Sequence, residues 1–193
     1  MQPPIPTPAE LNDARAEIRS TYIDYCTTVS KRTMAMAYES CAYALCMLRR
    51  LKPVDVADFG SGYTSYVLRK YATEAEHLVN VISVDDDASW LAKTGAFLDR
   101  EGLPSDGLLM WDEYLAIDSV HDFAIYDLSG GDMRDMGMTP VAERTKRNGF
   151  VLFDDAQHDG HRASMFATGL TIFDAKPYTV DVVQRYALLG MKL

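Results

Sequence analysis

Acidic residues follow five short apolar segments of the chain. The segments end in Asp58, in Asp85–Asp87, in Trp111-Asp112, in Asp127 and in Asp154-Asp155. Each segment predicts a buried strand, and an open parallel sheet binds its ligands at the carboxyl ends of the strands. We therefore expect these carboxylates to lie near one another, where they need a cation, a hydroxyl group or another donor to balance their charge. A single aspartate at such a position can also cap the following helix, so only the whole set indicates a ligand.

From residue 54 onward, apolar strand patterns alternate with helical patterns. The predicted strands are 54–59, 78–84, 108–111, 122–127 and 149–155, and helices are expected at 64–71, 89–100 and 134–147. This alternation predicts an α/β fold with a doubly wound, mostly parallel sheet that is covered on both faces. The last apolar segments, AKPYTV (175–180) and RYALLGMKL (185–193), are separated by a short polar stretch and predict a final antiparallel hairpin.

Two helices are predicted before the first strand. Thr7 is expected to cap the first helix, with Glu10 completing a capping box. The second helix is expected over Lys31–Leu51. Because both helices precede the alternating region, we expect residues 1–53 to form an N-terminal helical cover over a core of residues 54–193, within a single domain that spans all 193 residues.

The composition narrows the range of partners. The formal charge of −9 leaves no basic stripe to displace the counterions of a nucleic acid, so no nucleic-acid partner is expected. There is no run of about 18 apolar residues and no signal-peptide pattern, so no membrane partner is expected either. Cys26, Cys41 and Cys46 fit neither a disulfide framework nor a zinc site and suit a reducing compartment. We expect a cytoplasmic protein that acts on a small molecule.

The segment Gly60-Ser61-Gly62-Tyr63-Thr64 begins directly after the first predicted strand. It lacks the third glycine of a dinucleotide-binding fingerprint, which argues against a pyrophosphate ligand. Its glycines allow the main chain to approach an uncharged or zwitterionic ligand, while Asp58 attracts a positive group. The next strand end supplies Asp85, with Asp86 beside it, and a carboxylate there can bind both hydroxyls of a ribose. S-adenosylmethionine, a nucleoside with a cationic tail and no phosphate, fits this pattern.

The order of the elements and the segments DFGSG, SVDDD, YDLSGGD and GFVLFDD resemble those of class I S-adenosylmethionine-dependent methyltransferases over residues 54–193. The resemblance implies a seven-stranded sheet that ends in an antiparallel hairpin. It also implies a cofactor site, in which the loop Gly60–Tyr63 holds the methionine part, Asp85 the ribose, and Trp111 and Asp112 the adenine. Asp58, Thr64, Asp86 and Asp127 complete this expected site.

A narrower similarity concerns a metal ion. The segment FDDAQHDG (153–160) is similar to the one that carries an Asp-Asn pair in catechol-type and caffeoyl-CoA-type O-methyltransferases. That similarity implies a site for Mg²⁺ or another divalent cation formed by Asp127, Asp154 and Asp155. Two positions differ: Asp155 replaces the asparagine, and Gly130 stands where those enzymes have a lysine that assists deprotonation. The expected catalytic base is therefore Asp127 or His158.

The expected function is methyl transfer from S-adenosylmethionine to a small-molecule acceptor, with a hydroxyl oxygen as the methylated atom. Methyl transfer is an in-line displacement, so the protein mainly aligns donor and acceptor and removes the proton of the acceptor. Three alternatives are left open. They are cation-independent transfer to a sugar hydroxyl or an amine, a module that binds S-adenosylmethionine without turnover, and a nucleotide-binding oxidoreductase, which the missing third glycine disfavours.

Overall fold

A computed structural model describes residues 3–193, so the first two residues of the predicted cover lie outside the described part. The strands are β1 (Asp55–Phe59), β2 (Asn80–Asp85), β3 (Leu108–Met110), β4 (His121–Tyr126), β5 (Thr145–Phe153), β6 (Thr171–Asp174) and β7 (Leu188–Met191). The helices are α1 (Pro8–Thr28), α2 (Tyr38–Leu51), α3 (Tyr63–Glu74), α4 (Ala88–Arg100), α5 (Trp111–Ala116), α6 (Asp132–Arg144), α7 (Asp159–Ala167) and α8 (Lys176–Thr179). None of these helices is both long enough and apolar enough to cross a membrane.

The seven strands form one sheet, in the order β3-β2-β1-β4-β5-β7-β6. The first five strands run parallel, whereas β7 pairs antiparallel with both β5 and β6. The predicted mostly parallel sheet with a final antiparallel hairpin is confirmed. The chain builds outward from β1 to β3 and then returns to place β4 on the other side of β1. Ligands bind beside such a reversal, at the carboxyl ends of the strands.

The sheet buries apolar side chains on both faces. Along β1, Val56 packs into the cluster on one face and Ala57 into the cluster on the other, as the alternation of side chains in a strand requires. Helices α1 to α4 contribute to the first cluster, and α5 to α7 contribute to the second. The helices therefore lie on both sides of the sheet, as the doubly wound fold predicts.

The two N-terminal helices are packed into the core. The predicted capping box is present: the Thr7 hydroxyl accepts from the main-chain N of Glu10 at 3.3 Å, and Glu10 Oε2 accepts from the main-chain N of Thr7 at 2.7 Å. Residues 40–48 of α2 are all buried, and this helix contacts α1, α3 and α8. Residues 30–37, which connect the two helices, lie over the carboxyl ends of the strands. We call this segment the connection 30–37.

Helix α2 is shorter than predicted, because it begins at Tyr38 and not at Lys31. Main-chain oxygens of the residues just before it accept hydrogen bonds from two distant side chains, Arg185 and Tyr22. These tertiary contacts hold residues 30–37 in a looped path. A helical periodicity in the sequence does not reveal them, since both donors lie outside the segment.

The first strand of the hairpin is also displaced from its predicted position. It is β6, which directly precedes the segment 175–180 that was expected to form it. Within that segment Lys176–Thr179 forms α8. Asp174 Oδ1 accepts from the main-chain N of Lys176 at 2.8 Å, and Pro177, which has no N–H to satisfy, suits the first turn of a helix.

Candidate functional site

Two adjoining cavities lie at the carboxyl ends of the parallel strands. The glycine-loop cavity, of about 290 Å³, is lined by Tyr25, Met34–Met36, Gly60–Thr64, Asp85–Asp87, Trp90, Asp127, Ser129, Gly130 and Arg134. The acid cavity, of about 220 Å³, is lined by Thr33–Ala35, Asp127, Ser129, Gly130, Arg134, Asp154, Asp155, His158, His161 and Arg185. Because Asp127 and Arg134 line both, the two cavities meet at these side chains.

The glycine loop presses the end of β1 against the end of β4. Gly60 has a φ of +92°, and a Cβ atom there would lie 2.2 Å from the main-chain oxygen of Asp127. A Cβ atom at Gly62 would lie 2.6 Å from the hydroxyl of Tyr25. Both glycines are therefore required by contacts within the protein, in addition to the close approach of a ligand that the sequence predicts.

Asp85 and Asp86 both line the glycine-loop cavity, but their carboxylates have different surroundings. Asp85 is buried, and its Oδ2 accepts from the main-chain N of Ser61 at 2.8 Å and from Ser61 Oγ at 3.0 Å. Burial raises the pKa of Asp85. Asp86 is exposed and accepts no hydrogen bond from residues 3–193. Asp85 thus holds the loop in place, and the carboxylate of Asp86 is available to a ligand.

Asp58 lies behind the glycine loop and lines neither cavity. It is fully buried, and its Oδ2 accepts from the hydroxyl of Ser65, whose oxygen in turn accepts from the main-chain N of Gly62. Its Oδ1 has no partner among the described residues. Burial raises the pKa of Asp58 to about 7. In this position Asp58 supports the loop from inside the protein and faces neither cavity.

Trp111 and Asp112, the residues expected beside an adenine, lie at the start of α5 and outside the lining of both cavities. The ring of Trp111 packs edge-on against Phe59, with centroids 6.2 Å apart, and Asp112 is exposed. Trp90 lines the glycine-loop cavity, and its Nε1 donates to the main-chain oxygen of Ser61 at 2.5 Å. The sequence prediction missed Trp90, although its place in the first turn of the helix after β2 was a usable signal.

The connection 30–37, from the N-terminal part of the chain, forms one wall of the site. Met34 and Ala35 line both cavities, and Thr33 lines the acid cavity. Arg185 anchors the connection by donating to the main-chain oxygen of Ala35 at 2.9 Å and to that of Arg32 at 3.2 Å. The predicted cover therefore takes part in the site mainly through this connection.

Arg134, in the first turn of α6, lies among the acids of the acid cavity. Its Nη2 donates to Asp127 Oδ1 and its Nη1 to Asp155 Oδ2, each at 2.5 Å. Nε and Nη2 also donate to main-chain oxygens of residues 127–129. The side chain is 8% exposed, so the guanidinium is buried and held in one orientation. The sequence prediction missed this residue, because nothing in the spacing of the acids indicates an arginine between them.

The three acids predicted to bind a metal ion lie together. Asp127, Asp154 and Asp155 each offer an oxygen within 4.8 Å of the others. As placed, the set is not free to bind a cation, because two of its members accept hydrogen bonds from Arg134. Asp154 is buried, its Oδ1 has no partner among residues 3–193, and burial raises its pKa well above the usual range. The metal site stays a prediction, and a cation would have to displace the guanidinium.

The two expected bases lie at different places. His158 precedes α7 and lines the acid cavity, with its ring centroid 5.6 Å from that of His161. His161 Nδ1 is 2.7 Å from Asp135 Oδ1. Asp127 lies where the two cavities meet, and burial raises its pKa. Of the two, Asp127 is therefore better placed to act on a group that passes from one cavity to the other.

Comparisons with known proteins give a match at the level of structure. No family model and no curated protein matches the sequence. Cofactor-bound Rv0187 from MTB is 11% identical, with a TM-score of 0.69 over 98% of each chain. The O-methyltransferase TomG from Streptomyces achromogenes, in complex with SAM, is 12% identical, with a TM-score of 0.61 over 98% of this chain and 92% of that chain.

A third match is an enzyme that modifies RNA. The 16S rRNA N2 G1207 methyltransferase RsmC of T. thermophilus, in complex with AdoMet and guanosine, is 15% identical, with a TM-score of 0.58. The match covers 80% of this chain and 43% of that chain. The seven-stranded sheet of the present chain, with its final antiparallel hairpin, matches the α/β fold of class I methyltransferases. The chain has the fold of the class I S-adenosylmethionine-dependent methyltransferases.

Proposed function

We propose that this protein is an enzyme that transfers the methyl group of S-adenosylmethionine to a hydroxyl oxygen of a small molecule. The observation that carries the proposal is the meeting of two cavities at Asp127 and Arg134. A methyl donor in the glycine-loop cavity and an acceptor in the acid cavity would face each other at this point. Such alignment of two bound reactants is the main contribution that a protein makes to a displacement reaction.

The glycine-loop cavity supports the placement of the cofactor. The main chain of Gly60–Thr64 would hold the methionine part, and Asp86, with Asp85 beneath it, would bind the ribose hydroxyls. We place the adenine near Trp90 in preference to Trp111, because Trp90 lines the cavity. The fold supports this placement, since ligands bind at the carboxyl ends of the strands where the order of an open sheet reverses.

The chemistry needs few groups from the protein. When bound, S-adenosylmethionine supplies an electrophilic methyl group, whose bond to sulfur breaks as its bond to the acceptor oxygen forms. Asp127 takes the proton of the acceptor hydroxyl, with His158 as the alternative base. The raised pKa of Asp127, which burial causes, brings this carboxylate closer to the range in which a general base works efficiently near neutral pH. The connection 30–37 covers the acceptor and limits the access of water.

Size and charge favour a small acceptor. The acid cavity holds about 220 Å³, and the net charge of −9 does not favour the phosphate backbone of RNA. Because the fold is shared with an rRNA methyltransferase, an RNA acceptor belongs in the test. We also propose a cytoplasmic location, which is supported by the unpaired state of Cys26, Cys41 and Cys46.

Calorimetric titration and an acceptor panel test the proposal. S-adenosylhomocysteine should bind and NAD should not. Turnover is then measured on hydroxylated small molecules, sugars, amines and a structured RNA, and methylation of a small hydroxylated molecule is expected. Binding of S-adenosylhomocysteine with no turnover on any acceptor would identify a non-catalytic module. Methylation of the RNA or an amine alone would contradict the proposed acceptor, and binding of NAD alone would overturn the proposed cofactor.

Two variants distinguish the candidate bases. Asp127→Asn keeps the shape of the side chain and should lower kcat by roughly 10²–10⁴-fold, the usual contribution of a general base. His158→Gln, the matched variant in the same cavity, should leave kcat nearly unchanged. Calorimetry with S-adenosylhomocysteine shows whether each variant still binds the cofactor product. The opposite pattern of kcat values would assign the base to His158.

A further inference from the structure

We infer that Arg134 is the resident cation of the acceptor site and that its guanidinium, in place of a divalent metal ion, binds the oxygen to be methylated. The inference rests on the proposed function for the reaction that the site performs. It departs from the metal site that the similarity to catechol-type enzymes implies for Asp127, Asp154 and Asp155.

The hydrogen bonds of Arg134 leave one donor for a ligand. A guanidinium has five N–H groups. Nε donates to the main-chain oxygens of Leu128 and Ser129, and Nη2 donates to both the main chain and the carboxylate of Asp127. Nη1 donates to Asp155 Oδ2, so one of its two N–H groups has no partner among residues 3–193. Because the side chain lines both cavities, this charged N–H group lies where the methyl donor and the methyl acceptor would meet.

The turn before α6 is built to place this arginine. Ser129 has a φ of 45° and Gly131 a φ of 63°, so the chain reverses direction sharply after β4. The hydroxyl of Tyr126 donates to the main-chain oxygen of Arg134 at 2.7 Å and ties the first turn of α6 to the strand. A Cβ atom at Gly137 would lie 2.3 Å from that same hydroxyl, so the contact depends on a glycine there.

A divalent cation competes poorly with this arrangement. It would have to break the 2.5 Å ion pairs with Asp127 and Asp155. The displaced guanidinium would also leave main-chain oxygens of residues 127–129 without their donor, in a place where the side chain is 8% exposed. The arginine is part of the chain, whereas a cation must be drawn from solution. Arg134 therefore already supplies the positive charge that three neighbouring acids require.

The same geometry assigns roles in the transfer step. The unpaired N–H of Arg134 donates to the acceptor oxygen and stabilises the negative charge that develops there. The proton of the acceptor hydroxyl passes to Asp127 Oδ2, which accepts no hydrogen bond from the described residues. The oxygen then forms its bond to the methyl carbon, and the electron pair of the broken bond stays on sulfur. Arg134 keeps all of its protons throughout.

Chelation and one substitution test the inference on the full chain. Treating the wild-type protein with EDTA, and then adding Mg²⁺ or Ca²⁺, should change neither its melting temperature nor its turnover. Arg134→Ala removes the resident cation and frees Asp127 and Asp155 beside Asp154, so Ca²⁺ should now raise the melting temperature of the variant. Asp154→Ala in the Arg134→Ala background should abolish that response. Turnover of Arg134→Ala without added metal should fall on the order of 10²-fold.

Matched variants keep the test decisive. Arg144→Ala, on the same helix, removes a side chain that donates to main-chain oxygens outside both cavities and should show no response to Ca²⁺. Arg134→Lys keeps the charge but not the planar fork, so the KM for the acceptor should rise while the fold is retained. Loss of wild-type turnover in EDTA, with recovery on adding Mg²⁺, would overturn the inference even if Arg134→Ala does not fold. The failure of S-adenosylhomocysteine to bind would instead count against the proposed function.

Discussion

The two cavities are assembled from different parts of the chain. The glycine-loop cavity takes most of its lining from two local segments, the turns after β1 and β2. The acid cavity is assembled from the connection 30–37, the turns after β4 and β5, and Arg185 near the end of the chain. Arg185 and Ala35, which bond each other at its rim, are 150 residues apart in the sequence.

This difference separates what is general in the fold from what is particular to the protein. A cavity made by two local turns persists wherever the strands and the glycine loop persist. A cavity made by distant segments changes with each loop, which is why one fold serves many acceptors. The point of contact between the two cavities, at Asp127 and Arg134, is where a change in one should be felt in the other.

The largest effect is expected for Gly60→Ala, because Gly60 lines the glycine-loop cavity and lies against Asp127, which lines both cavities. A methyl group at this position would lie 2.2 Å from the main-chain oxygen of Asp127, and the φ of +92° is strained for any residue with a side chain. We expect the free energy of unfolding to fall on the order of 3 kcal/mol, together with loss of S-adenosylhomocysteine binding. Urea denaturation and calorimetry measure the two effects. Gly160→Ala, where a Cβ atom meets nothing within 4 Å, is the control and should change neither quantity.

The next largest effect is expected at Asp85 and Asp86, the two acids proposed to bind the ribose. Asp86→Ala should lower the affinity for S-adenosylhomocysteine by about 2–3 kcal/mol with little change in melting temperature, since the carboxylate has no partner in residues 3–193. Asp85→Ala should lower both, because Asp85 also holds Ser61. Asp112→Ala, at an exposed residue outside both cavities, should lower neither. Unchanged affinity in both Asp85→Ala and Asp86→Ala would show that the ribose binds elsewhere.

The lining of the glycine-loop cavity was largely predictable from the sequence. Strand ends, the glycine loop and the acids that follow them are short-range patterns, and the structure places Gly60–Thr64, Asp85 and Asp86 around one cavity. The position of Asp58 at a strand end predicts that its carboxylate attracts a ligand. The sequence does not reveal which way the side chain turns. In the folded chain it bonds Ser65, seven residues away, and supports the loop.

The lining of the acid cavity was only partly predictable from the sequence. The adjacency of Asp127, Asp154 and Asp155 follows from the pairing of β4 with β5, which the alternating pattern implies. Arg134 was not foreseen, because its approach to Asp127 depends on the sharp turn at Ser129 and Gly131 and not on any periodicity. The path of residues 30–37 depends on Arg185 and Tyr22, which lie outside the segment, so the helical pattern within it predicted a helix that does not form there.

Asp58 allows a test by pH. Burial raises its pKa to about 7, so the folded chain binds this proton more tightly than the unfolded chain does. Its contribution to stability therefore decreases as the pH rises from about 4 to about 7. Asp58→Asn removes this dependence and should raise the free energy of unfolding by on the order of 2 kcal/mol near pH 8, with a smaller gain near pH 5. Melting curves at the two pH values measure the difference, and an equal effect at both would contradict a raised pKa.

The smallest effect is expected for Arg185→Lys. This variant tests whether the acid cavity can be altered without altering the glycine-loop cavity. A lysine keeps the charge beside Asp181 but cannot reach the main-chain oxygens of Arg32 and Ala35 with the fork that Arg185 uses. The connection 30–37 should loosen, and the KM for the acceptor should rise by about tenfold, a change on the order of 1 kcal/mol in binding.

The same variant should lower the affinity for S-adenosylhomocysteine much less than tenfold, because the connection 30–37 supplies only Met34–Met36 to a glycine-loop cavity that is lined mostly by the turns after β1 and β2. Arg162→Lys, at a neighbouring arginine that pairs with Asp159 and lines neither cavity, is the matched control. A loss of S-adenosylhomocysteine affinity equal to the rise in KM would mean that the connection closes both cavities as one unit. The two halves of the site would then be coupled through Met34 and Ala35 as well as through Asp127 and Arg134.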